Sequence, residues 1–229
     1  MLPIPTLAPT DPPQALPPVS RALAEPNGLL AIGGSLSPDW LVHAYRQGAF
    51  PWFGRGQPIL WWSPDPRAVL FPAEFRRARS LRRSIRSRGY ETRLDGAFDE
   101  VLTGCAAPRA GQPDTWITAA MRRAYGALNR LGLAHSVETW RDGQLVGGLY
   151  GVALGGVFFG ESMFSRDTDA SKVALSRLVD ECLARGVELI DCQQPTDHLA
   201  SLGSRPIPRA EFTSLLERLA DPARDLWRP

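Results

Sequence analysis

Lysine is nearly missing from this chain. Of 26 basic residues among 229, Lys172 is the only lysine and the rest are arginine. The formal net charge of +2 is too small to mark a nucleic-acid binder by total charge alone. Cysteine is scarce too. Cys105, Cys182 and Cys192 form no CxxC pair and have no neighbouring histidine at metal-ligand spacing, which argues against a metal site and points to reduced thiols in the cytoplasm. No apolar run approaches the ~20 residues that span a bilayer. The start, Met1 to Ser20, has seven prolines and lacks the basic and apolar regions of a targeting signal. Also missing is a GxxxxGK phosphate loop.

What is present centres on two short stretches. Gly160-Glu161-Ser162-Met163-Phe164-Ser165 sets one carboxylate among apolar residues after a glycine-rich β-like segment. Asp191-Cys192-Gln193 ends the apolar run that begins at Val187. Side chains two apart on a strand share a face, so Asp191 and Gln193 are expected to point together and Cys192 away. Asp and Gln at a strand end also cap loops.

Around these stretches the pattern alternates between β and α from Arg67 onward. Ser37, Pro38 and Gly48 frame a short helix over Trp40 to Gln47. Ala68 to Phe71 reads as a strand, and Phe75, Ala78, Leu81 and Ile85 recur at helical spacing up to Gly89. Tyr90 to Leu94 predicts a strand and Ala97 to Cys105 a helix. Thr118 caps a helix whose apolar face includes Met121, Tyr125 and Leu128. Asp142-Gly143 joins two alternating strands as a hairpin. Ser171 is placed as the cap of the clearest amphipathic helix, ended by Gly186. A strand over Val187 to Cys192 and a helix over Arg209 to Ala220 complete the pattern. The expected fold class is α+β, a mixed sheet flanked by helices. Residues 1–24 read as a proline-rich flexible tail, 25–66 as a small N-terminal lobe and 67–229 as the main domain.

Arginine is clustered. Arg76, Arg77, Arg79, Arg82, Arg83, Arg86 and Arg88 surround one apolar stripe, countered locally only by Glu74 and Glu91. Guanidinium groups suit phosphate, so this helix is a candidate grip on RNA, and its alternative is a plain solvated face.

Six motifs resemble those of the leucyl/phenylalanyl-tRNA–protein transferase family. They are Pro26-Asn27-Gly28-Leu29-Leu30, Phe50-Pro51-Trp52-Phe53, Trp61-Trp62-Ser63-Pro64-Asp65-Pro66-Arg67, Thr115-Trp116-Ile117, Gly160 to Ser165, and Ile190-Asp191-Cys192-Gln193. The likeness runs in order from about Glu25 to Trp227. It implies a GNAT-like (acyl-CoA N-acyltransferase-like) domain. It also implies an aminoacyltransferase that moves Leu, Phe and less well Met from aminoacyl-tRNA to the N-terminal Arg or Lys of acceptor proteins, marking them for N-end rule degradation. No cofactor, metal or membrane partner is expected.

By the same resemblance the amino-acid pocket lies near Trp52, Trp116, Leu149, Met163 and Leu178, and Arg76 to Arg88 hold the tRNA. Asp191 and Glu161 are the acids offered near the acceptor, with Asp191 assisting the attacking amine and Gln193 orienting the ester or its oxyanion. An acetyl-CoA enzyme of the same fold would need a glycine-bearing pyrophosphate loop. Here Ser165 to Ser171 has no glycine and carries Asp167 and Asp169, whose charge is expected to repel a pyrophosphate. A non-catalytic RNA-binding module would leave Glu161, Asp191 and Gln193 unexplained.

Overall fold

The computed structural model describes residues 4–108, 115–221, 223–224 and 226–227. In chain order the elements are β1 (Thr6–Leu7), β2 (Leu29–Gly33), α1 (Pro38–Gln47), β3 (Phe50–Pro51), β4 (Leu60–Trp62), β5 (Arg67–Leu70), α2 (Arg79–Ser87), β6 (Glu91–Leu94), α3 (Phe98–Ala106) and α4 (Ala119–Arg130). They continue as β7 (Ala134–Arg141), β8 (Gln144–Leu154), β9 (Val157–Ser165), α5 (Ala170–Arg185), β10 (Leu189–Gln193), α6 (Asp197–Ser201), β11 (Arg205–Ile207) and α7 (Arg209–Leu219). Two sheets result, ordered β1-β2-β4-β3 and β11-β5-β10-β9-β8-β7-β6. In the larger sheet β9 and β10 are parallel, joined through α5, while the other neighbours are antiparallel. This is the α+β mixed sheet with flanking helices expected from the pattern.

Several local expectations meet their physical cause. Asp142 and Gly143, both at positive φ, turn β7 into β8 as a two-residue hairpin requires. Gly48 ends α1 at φ 88° and Gly186 ends α5 at φ 77°, left-handed positions that cost glycine nothing. Thr118 caps α4 through its side chain, which accepts from the Met121 amide.

Other expectations are corrected. Ser171 does not cap α5; Asp169 holds that position at φ 62°, and Ser171 lies inside the helix. Ser37 does hold the N-cap position of α1, though its side chain makes no cap bond. The helix α2 begins only at Arg79, because the Arg76 amide is drawn to the Leu202 carbonyl (2.8 Å) and holds the preceding residues extended.

The proline-rich start is not a loose tail where it is described; residues 1–3 lie outside the described residues. Thr6 and Leu7 pair in parallel with Ile32 and Gly33. Leu16 and Val19 are buried, and the Trp40 indole donates to the Asp11 carbonyl. Three apolar residues between the prolines supply the anchorage, and the prolines' fixed φ lowers the cost of ordering the segment.

One core cluster runs through both sheets, joining Trp40, Tyr45 and Trp61 of the small lobe to Tyr150 and Phe159 of the large sheet. A second lies between the other face of the large sheet and α5, with Leu149, Phe158, Leu178 and Val179. No helix among the described residues is long and apolar enough to cross a membrane.

Candidate active site

Two irregularities place the chemistry. Between β8 and β9 the register shifts so that Tyr150 faces Ser162 and Gly151 faces Gly160, leaving Glu161 as the extra residue. Between β5 and β10, Val69 faces Asp191 and Ala68 faces Gln193, leaving Cys192 extra. Such bulges re-aim side chains and break the two-residue alternation. Gly151 permits the first of them. A Cβ there would fall 2.2 Å from the Phe159 carbonyl oxygen, so no larger residue lets β8 lie so close to the bulge.

The bulges bring Glu161 and Gln193 to one cavity of about 220 Å³, lined also by Phe50, Pro51, Trp52, Trp116, Cys192, Gln194, Thr196 and Leu199. Gln193 Nε2 donates to Glu161 Oε1 at 3.0 Å. From the protein side, Tyr125 donates to Glu161 Oε2 at 2.6 Å, and the Tyr45 and Tyr125 hydroxyls lie 2.7 Å apart. Glu161 therefore ends a buried chain of neutral donors. Burial pushes its carboxyl up to about 7, only partly offset by the tyrosine hydrogen bonds, with the Asp191 charge adding to the rise. The same burial holds the Tyr45 and Tyr125 hydroxyls well above the usual phenol range, so both stay protonated as donors.

Asp191 is placed differently from the sequence expectation. It is wholly buried and does not line the cavity. Arg67, equally buried, clamps it with Nε on Oδ1 (2.8 Å) and Nη2 on Oδ2 (2.7 Å). Asp191 Oδ1 also accepts the Gln193 backbone N–H at 2.9 Å, with Gln193 at φ 60°. The bulge is the physical reason: Cys192 and Gln193 reach the cavity, and Asp191 turns inward to Arg67. Burial raises the Cys192 thiol to about 12, so it stays a neutral wall.

The expected amino-acid pocket divides. Trp52 and Trp116 line the Gln193 cavity. Leu149 and Leu178 are core residues, 3 % and 1 % exposed, and are not among the walls of the Gln193 cavity. Met163, the cross-strand partner of Leu149, lines a separate cavity of about 390 Å³ with Gly104, Ala107, Pro108, Phe164 and His198 among its walls.

Of the clustered arginines, Arg77 is committed inward to Ser176 and Asp180, whereas Arg76, Arg79, Arg82, Arg83, Arg86 and Arg88 are exposed. Arg82 and Arg86 border a groove of about 510 Å³ between α2 and α5. The loop before α5 also differs from expectation. Asp167 pairs with Arg141, and Asp169 with Lys172 (3.1 Å) and Ser84 (2.8 Å), so their charge is neutralised within the protein and the repulsion argument lapses. Among the described residues no three His, Cys, Asp or Glu side chains gather as a metal site.

Sequence reasoning did not single out Arg67, Tyr45 or Tyr125 as site residues. Arg67 left two signals, its place at the end of the Trp61 to Arg67 motif and its charge at the head of the otherwise apolar strand Arg67-Ala68-Val69-Leu70. The tyrosines left none, since both sit on apolar helix faces and read as core.

Comparison with known proteins gives the family. The family described as leucyl/phenylalanyl-tRNA protein transferase matches residues 69–217, and that family's N-terminal domain matches 34–65. The proteins called leucyl/phenylalanyl-tRNA–protein transferase in Thiobacillus denitrificans and Nitrosospira multiformis are 61 % and 60 % identical over 205 residues, covering 90 % of this chain and 90 % and 88 % of theirs. The protein of that name in Stutzerimonas stutzeri is 56 % identical over 215 residues, 93 % of this chain and 95 % of its own. A solved GCN5-related N-acetyltransferase from Kribbella flavida is similar at a TM-score of 0.38 and 13 % identity over 74 % of this chain and 60 % of that one, too loose to carry an argument. With identity of this level running nearly end to end, the chain belongs to the leucyl/phenylalanyl-tRNA–protein transferase family.

Proposed function

We propose that this protein transfers Leu, Phe and less well Met from aminoacyl-tRNA to the N-terminal Arg or Lys of acceptor proteins, in the cytoplasm, marking them for N-end rule degradation. The observation that carries the chemical part is the Glu161–Gln193 pair on a tryptophan-walled cavity, backed by two tyrosine donors. An α-ammonium has a reference pKa of ~7.7–8.0, so a carboxylate near 7 suits taking up its proton. The freed amine attacks the ester carbon, the new C–N bond forms and the bond to the terminal ribose oxygen breaks. Glu161, its first proton released to solvent, takes a second from the nitrogen of the new C–N bond and passes it to that leaving oxygen, so the nitrogen ends as a neutral amide. With Nε2 donating to Glu161, Gln193 offers Oε1 to an amine hydrogen and holds the nucleophile in line.

The cavity of about 220 Å³ suits the reacting end of two substrates, not a whole nucleoside. The larger Met163 cavity is the better receiver for the donor's apolar side chain, with Leu149 packed behind. A flexible thioether wall there adapts to Leu, Phe or Met. Exposed arginines of α2 hold the tRNA through its phosphates and so accept tRNA bodies broadly. Asp191 enters this reading only indirectly, and the acceptor's basic side chain is met by the Glu161 side of the cavity.

The deciding experiment is transfer of labelled leucine from leucyl-tRNA to a peptide beginning with Arg, compared with one beginning with Ala. Label should enter the Arg peptide alone and disappear when the donor is treated with ribonuclease. Label supplied equally well by acetyl-CoA-type donors, or no transfer at all, overturns the reading.

A further inference from the structure

Arg67 takes no part in the proton chemistry just proposed, yet among the described residues it is a buried cation engaged on every side. It is fully buried. Two of its nitrogens clamp Asp191, and Nη1 donates to the Gly48 carbonyl at 3.1 Å, where α1 ends. Its guanidinium lies 4.8 Å from the Phe50 ring centre and 4.6 Å from that of Phe212. Phe50 itself lines the cavity, next to Pro51 and Trp52. A single side chain thus ties the small-lobe wall of the cavity to the strand that carries Gln193.

What it holds there is strained. Gln193 sits at φ 60°, a region that non-glycine residues enter only when their surroundings impose it. The imposed bond runs from the Gln193 N–H to Asp191 Oδ1, the same oxygen that Arg67 Nε orients. We propose that Arg67 is a positioning residue for the transfer reaction, acting through Asp191 to fix the Gln193 backbone and aim its carboxamide at Glu161 across from the Trp52 wall. The inference rests on the transfer reading above. Here the negative charge of Asp191 matters as a partner for Arg67, and its Oδ1 matters as an acceptor. It exchanges no proton with substrate.

Two paired replacements separate these properties. Arg67→Gln with Asp191→Asn keeps a satisfied polar pair: the Gln carboxamide can reach Gly48 and the Asn amide, while Asn Oδ1 still accepts from Gln193. Arg67→Met with Asp191→Leu fills the space without charge, which buried ion pairs commonly tolerate, but leaves Gln193 without its acceptor. The expected result is that both fold. The polar pair should then keep kcat within a few-fold of wild type. The apolar pair should lose roughly 10²-fold in kcat, the scale of a misplaced reacting group, with KM for leucyl-tRNA unchanged. Equal activity of the two pairs would make Arg67 and Asp191 packing only, and equal loss in both while folded would give the Asp191 charge a direct chemical role; either overturns the proposal. Should the apolar pair fail to fold, Arg67→Lys decides. It keeps the charge but not the two-pronged clamp, and should lower kcat roughly 10-fold at unchanged KM. An unaffected kcat in that variant sinks the idea. If wild-type protein transfers no leucine, it is the transfer reading that fails, before any variant is compared.

Discussion

Asp191 and Glu161 are both buried carboxyls on adjacent parallel strands of one sheet, and the fold treats them in opposite ways. Asp191 is matched by a guanidinium that fills both its oxygens. Glu161 meets only neutral donors, two from side chains that are themselves anchored in the protein, and its carboxyl rises to about 7. The guanidinium holds Asp191 in one geometry, whereas neutral donors leave the Glu161 charge free to change near neutral pH. One protein can therefore use the same functional group once as a brace and once as a proton carrier, and the partner decides which.

The largest expected effect comes from breaking the brace alone. Arg67→Met strands a buried carboxylate and should cost about 3–5 kcal/mol of folding stability, read from denaturant midpoints. A loss as small as that of an exposed pair would erase the distinction between the two carboxyls.

Glu161→Gln attacks the other side of the comparison. Transfer should fall ~10²-fold, as when acid–base help is lost, and the rise of rate with pH through about 7 should vanish. Stability should behave oppositely to that of the Arg67 variant. With its carboxyl raised from 4.5 to about 7, native wild type holds a proton that the unfolded chain has already lost between those values. Wild-type stability attributable to Glu161 is thus present at low pH and declines as pH rises through that window, by about 3 kcal/mol at most. The Gln variant lacks that decline, so unfolding curves at pH 5 and pH 8 should diverge less than wild type's. Identical pH dependence would place Glu161 in water.

Tyr125→Phe is subtler. It removes a hydrogen bond that favours the charged form of Glu161, so the rate profile should shift to higher pH, with roughly 10-fold slower transfer at pH 7. An unmoved profile would mean that Tyr125 does not tune Glu161. Smallest for both carboxyls is Arg82, Arg83 and Arg86 all to Ala. Each lost phosphate contact should take ~0.7–0.9 from the log–log salt slope of tRNA binding, while the pH profile of bound donor stays put. Unchanged affinity and slope would make α2 a solvated surface.

How legible all this was depends on which residues one asks about. The hairpin at Asp142-Gly143 and the helices α4 and α5 were readable because turn chemistry and a 3.6-residue stripe are local properties of the chain. Glu161, Gln193, Trp52 and Trp116, which the fold brings to one cavity, were named from their motifs. What alternation could not give was the direction of Asp191, because a bulge is set by how two strands settle against each other; Gly151 marks the other bulge, at Glu161, and reads as one glycine among several in its strand. Tyr45 and Tyr125 were hidden for a related reason. Their rings obey the apolar stripe, and only the packing of α1 against α4 brings their hydroxyls together. The proline-rich start was misjudged because composition alone cannot count the three buried contacts of Leu7, Leu16 and Val19.

The Gln193 backbone amide donates to a carboxylate oxygen two residues back, so its exposure to solvent is governed by the rotation of one side chain. In deuterated water that amide should exchange on a schedule of its own, distinct from Ile190 within the regular part of β10. The centre of the sheet is usually the slowest place for deuterium to enter. Here one amide is bonded to a side chain instead of a neighbouring strand, so the firmness of the Arg67–Asp191 brace can be timed at a single nitrogen.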